Sequence, residues 1–198
     1  MFLPFSHRAK IWEPIALELR AISKTALHAK LDPWVLAPEL GLAVFDDHSV
    51  LNSLPPEFKA YLYGSGKQKW SGGVHPEPNA DGTLLCILNP LHSSRRNKIT
   101  LMEEIAHIYL DHVPSGVQYD HDGIKFRDYN EAQEQEAYGV GAAALLPWQT
   151  FFKVLNTGKT IDEVSATYDV TTDLVRYRIK VTGASNLYKS RQNSQKSR

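Results

Sequence analysis

Cysteine occurs once in the 198 residues, at Cys86, so the chain can close no internal disulfide and build no cysteine-based zinc knuckle. A single thiol within the apolar run Thr83-Leu84-Leu85-Cys86-Ile87-Leu88 reads as buried and inert, and it suits a reducing compartment. Net charge is also lacking. Lys plus Arg and Asp plus Glu number 22 each, so no overall field favours nucleic acid, a membrane surface or acidic substrates. No run approaches the roughly 18 to 20 apolar residues of a membrane span, and the opening Met1-Phe2-Leu3-Pro4 has no long apolar signal core. A cytoplasmic location with no membrane partner is expected. Internal repeats are missing too, which argues against a solenoid.

What is present suits one folded domain: 42% hydrophobic residues, 22% charged, and a good supply of Trp, Tyr and Phe. Residues 1–184 are expected to form that domain, with 185–198 as a flexible basic tail. Helical spacing predicts helices over 14–30, 32–40, 100–112, 131–146, 160–168 and 172–182. Extended segments are expected at 42–45, 60–63 and 83–88, and a surface loop or wide hairpin at 64–82. Arg95, Arg96 and Lys98 read as a basic loop before the third helix. The class is α+β.

The chemistry concentrates in Thr100-Leu101-Met102-Glu103-Glu104-Ile105-Ala106-His107. Residues four apart on a helix differ by only about 40° in direction, so Glu103 and His107 share a face, with Glu104 beside them. In H-E-x-x-H metallopeptidases two histidines bind zinc and the glutamate takes a proton from the zinc-bound water. Here the run is E-E-x-x-H: a nitrogen donor at His107, an oxygen donor at Glu103 and a general base at Glu104. A third ligand must come from elsewhere, and Glu136 and Glu134 on the next helix are both candidates.

Asn89-Pro90, the run Thr100–His107, and Glu136-Ala137-Tyr138-Gly139-Val140-Gly141-Ala142-Ala143-Ala144-Leu145-Leu146-Pro147 together resemble the ImmA/IrrE metallopeptidases. That pattern is T-L-x-H-E-x-x-H followed by E-A-x-x-x-A-A-x-L-L-x-P. The resemblance implies a mostly helical zincin-like domain with a small antiparallel sheet. It also implies Glu136 as third ligand, His107 as second, Glu104 as base, and hydrolysis of a peptide bond in a regulatory protein such as a repressor or antitoxin. The departure is Glu103, where the family has histidine. Two carboxylates and a neutral imidazole cancel the charge of a divalent ion, so bound water would be less acidified; zinc remains the expected ion, with manganese as the alternative that a carboxylate-rich set admits. A catalytically silent, partner-binding relative is the alternative.

Other residues carry weaker signals. His112 lies about 140° from His107 on a continuous helix and reads as a helix-end imidazole favoured by the dipole. His75 and His121 fall in predicted loops and read as solvent-exposed. Tyr109, Tyr119 and Tyr138 are oxyanion-donor candidates among which spacing makes no choice. Residues 160–183 look like a helix-turn-helix, with Arg176, Arg178 and Lys180 on its second helix, so DNA binding is a third reading.

Overall fold

The computed structural model describes residues 3–53, 56–64, 66–119 and 125–196, and the candidate His121 lies outside them. The fold is α+β and mostly helical. By contact density it groups into two compact units, Met1–Leu31 with Tyr138–Arg198, and Asp32–Ala137. Among the described residues no helix is long and apolar enough to cross a membrane.

The Asp32–Ala137 unit holds both sheets. Asp32 caps α2 (Pro33–Glu39) by accepting the Trp34 N–H, and Gly41, at φ +73°, turns the chain into β1 (Leu42–Phe45). β1 pairs in parallel with β3 (Leu84–Leu88), and β2 (Gly72–Val74) pairs antiparallel with β3 on its other side. The sheet is therefore mixed, not purely antiparallel as expected, because β1 reaches β3 through a long crossover instead of a hairpin. That crossover holds α3 (His48–Ser53), α4 (Pro56–Tyr63) and α5 (Gly66–Lys69). Ala60–Tyr63, expected to be extended, is the end of α4. Its β-favouring tyrosines are outweighed by Leu62, which anchors a small apolar cluster with Tyr61, Trp70 and Leu91.

The helix bearing the E-E-x-x-H run, α6, spans Ser94–Tyr109 and packs on α2, β2 and β3. It begins earlier than expected: the Ser93 side chain accepts the Arg96 N–H, so the basic run 94–98 is its first turn and not a loop. Close approach to the sheet needs Gly72, where a Cβ would lie 2.9 Å from the Ile87 carbonyl oxygen and 3.1 Å from a Thr100 methyl. A hairpin of β4 (Gly116–Tyr119) and β5 (Lys125–Asp128) precedes α7 (Glu131–Leu145).

In the other unit, α1 spans His7–Ile22, not 14–30: Ser6 caps it, and Pro14 lies inside it. α8 (Trp148–Asn156) follows Pro147, then α9 (Ile161–Tyr168) and α10 (Thr172–Val181) form the expected helix pair. Thr160 and Glu163 make a reciprocal capping box on α9. Gly139 of α7 lies flat against Trp12, where a Cβ would sit 2.4 Å from the ring.

Residues 185–196, expected to be flexible, form α11 (Ser185–Lys196). The helix is polar, so periodicity gave no signal. It is tied to neighbouring chain by Arg191 donating to Asn156 (2.9 Å) and Gln192 donating to the Gly158 carbonyl (2.7 Å).

Candidate functional site

α6 ends in a complete Schellman turn, which puts His112 somewhere a continuous helix would not. The Asp111 N–H donates to the Ile108 carbonyl (3.1 Å) and the His112 N–H to the His107 carbonyl (3.0 Å), with Asp111 left-handed at φ 52°. Aspartate tolerates that conformation better than most residues. The chain thus folds back, and His112 Nδ1 comes to 3.0 Å from His107 Nδ1. His112 is a ring partner of His107 and not the helix-end imidazolium expected.

His107 is buried, and Tyr129 stacks on its ring with centroids 3.7 Å apart. Each imidazole then meets one carboxylate of α7. His107 Nε2 stands 3.6 Å from Glu134 Oε2, and His112 Nε2 stands 3.4 Å from Glu136 Oε2. Residues two apart on a helix point about 200° apart, so the two carboxylates divide between two rings. Of the two candidates for the third ligand, the structure brings Glu134 to His107 and gives Glu136 to His112.

Glu103 is half-buried, and its carboxyl is pushed up to about 8 by burial first, then by the charges of Glu104 and Glu134. Glu104 is felt on the sheet side as well, where burial chiefly, and then Glu104 and Asp46, raise the Cys86 thiol. Burial, then the neighbouring His107, hold His112 below the ordinary histidine range against the opposing pull of Glu136 and Glu134.

The Glu103 shift has a signed consequence. A carboxyl whose folded pKa lies above its unfolded value contributes stability that is full below about pH 4.5 and lost as pH rises through about 8. With metal chelated away, Glu103→Gln should be more stable than the parent at pH 8 and above. The gap should close toward pH 4.5, and a gap that widened on acidification would contradict the assignment. Chemical unfolding at a series of pH values reads this directly.

Whether the residues suit a divalent ion turns on their donors. Two donors at about 2.1 Å from one tetrahedral ion are about 3.4 Å apart, close to the His107–Glu134 separation of 3.6 Å. Burial and the charges of Glu104 and Glu134 raise the cost of ionising Glu103, which a cation would relieve. The donor types fit. Among the described residues, however, no group of three or more His, Cys, Asp or Glu is gathered to hold an ion, so two donors face each other and the third does not converge with them.

His75, half-buried at the end of β2, accepts the Glu77 N–H at Nδ1 (3.2 Å). Tyr138 packs edge-on against Tyr177, and Tyr109 and Tyr119 close α6 and β4. Tyr129 stands at the histidines, and no sequence signal marked it. On α10, Arg178 is buried in an ion pair with Glu13 and Arg176 pairs with Asp173 (2.9 Å).

No curated protein matches the chain. A family model does, the IrrE N-terminal-like domain, Peptidase_M78, over residues 66–180. Those residues are more than half the chain and take in α6, the histidine turn and the carboxylates of α7, so the protein belongs to the Peptidase_M78 family of metallopeptidase-like domains.

Proposed function

We propose that this chain is a metal-dependent peptidase in which His107, Glu134 and Glu103 hold a divalent ion, zinc or manganese, and Glu104 is the general base. Its substrate is a regulatory protein such as a repressor or antitoxin, met in the cytoplasm, where a lone buried thiol is at home. The observation that supports this reading most is the facing of His107 Nε2 and Glu134 across 3.6 Å on the face that carries Glu103. Glu134 takes the ligand role that the family resemblance gave to Glu136.

A divalent ion, when bound, polarises a carbonyl and acidifies water. The chain's own groups do the rest. Glu104 accepts the proton at its carboxylate and returns it to the leaving amine. Tyr129 holds the His107 ring in one plane.

Elemental analysis after zinc loading tests the assignment. The parent should carry about one ion per chain, lost in His107→Ala and Glu134→Ala and less affected in Glu136→Ala. Equal occupancy in all four, or none in the parent, would overturn it.

The gathering of only two donors favours a second reading, a partner-binding relative without catalysis. Zinc-loaded parent and Glu103→His together separate the two: cleavage of an unfolded protein substrate by the parent, increased in Glu103→His, supports the peptidase, and zinc binding by the parent with no cleavage supports the silent relative. Nucleic-acid binding ranks below both, because Arg178 is withdrawn from the surface of α10.

A further inference from the structure

We propose that His112, held by Glu136, is the positioning residue that fixes the tautomer of His107 and so presents the Nε2 lone pair of His107 toward Glu134. The inference rests on His107 being a metal donor, as proposed above. The order of protons is set from the outside inward, starting at a carboxylate. An ionised carboxylate only accepts hydrogen bonds, so the 3.4 Å contact of Glu136 Oε2 with His112 Nε2 requires the proton on that nitrogen. A neutral His112 then has its lone pair at Nδ1. The 3.0 Å approach of the two Nδ1 atoms admits one proton between them, and it must come from His107. His107, protonated at Nδ1, keeps a bare Nε2.

The opposite chain would start from Glu134 and need His107 Nε2 as donor. At 3.6 Å that contact is beyond a hydrogen bond, whereas the Glu136 contact, at 3.4 Å, is a long one. The shorter contact gives the direction proposed. A ligating histidine commonly donates its second nitrogen to an outer partner that fixes its orientation. Here the outer partner is a second histidine, placed by the Schellman turn at Asp111 and fixed in turn by Glu136.

The test is nitrogen NMR of the full chain, metal-free, with 15N-labelled histidine. His107 is expected as the Nδ1–H tautomer and His112 as the Nε2–H tautomer. His112→Phe keeps an aromatic ring but removes the acceptor. It should release His107 to the Nε2–H form and weaken zinc binding, measured calorimetrically with zinc ion alone, about 10- to 100-fold. His112→Asn puts an amide oxygen near the lost Nδ1 and should restore both readouts, which a merely structural role would not. An Nε2–H tautomer at His107 in the unaltered chain overturns the proposal, whether or not the variants fold. So does a His112→Phe protein with unchanged tautomer and zinc affinity. If the unaltered chain takes up no zinc but shows the expected tautomers, the metal reading fails and the positioning of His107 stands.

Discussion

Glu13→Ala should lower the unfolding free energy by about 3–5 kcal/mol, the cost of removing one partner from a buried ion pair. Glu13 and Arg178 are both buried and bonded to each other, and Arg178 also donates Nε to the Leu146 carbonyl (3.2 Å). Without the carboxylate a guanidinium stays in the interior uncompensated. A second loss adds to the first. Glu13 Oε2 accepts the Trp148 N–H (2.9 Å) at the start of α8, where Pro147 offers no side-chain cap. A carboxylate of α1 thus caps α8. Urea unfolding gives the measurement. Pairing Glu13→Leu with Arg178→Met should recover most of the loss, since well-packed apolar replacements of buried ion pairs are often neutral. A single-variant loss below about 1 kcal/mol would show that the pair carries little.

Arg20→Met is the second large effect, expected to cost about 3 kcal/mol or more by leaving carbonyl groups unsatisfied. Arg20 is buried and donates Nη1 to the Ala144 carbonyl (2.7 Å) and Nη2 to the carbonyls of Ala26 and of Ala29 (2.6 Å). Ala144 lies in the last turn of α7, where carbonyls lack helical partners and a cation meets the negative end of the dipole. Arg20→Lys should recover only part, because a point charge cannot span three acceptors as a planar fork does. Equal stability of the methionine and lysine variants would show that the fork geometry is unimportant.

The elements with a local cause were the ones readable in advance. Asp32-Pro33 and Gly41 bracket α2, and Leu42–Phe45 and Leu84–Leu88 came through as strands because short apolar runs bounded by turn residues have few alternatives. The start of α1 at the local Ser6 cap was missed, because apolar spacing is regular only from residue 14. Where the cause was tertiary, reading failed. Polar α11 gives no periodic pattern and is fixed by contacts to Asn156 and Gly158. At the site, Glu103, Glu104 and His107 share one helix and could be grouped by spacing alone. The choice between Glu134 and Glu136 could not, because it depends on how two helices meet. His112 escaped for a subtler reason: a C-terminal turn is usually announced by glycine, and here aspartate fills the left-handed position. Tyr129 follows a hairpin and had no pattern to betray it.

The ion pair between positions 13 and 178 joins residues 165 apart in the chain. During synthesis at about 5–20 residues per second, α1 emerges roughly 8–33 s before the arginine that neutralises it. Until then its carboxylate has no cation to accompany it inside, so α1 cannot settle into its final packing, and nascent or prematurely stopped chains that end short of Arg178 should be substrates for chaperones and proteases.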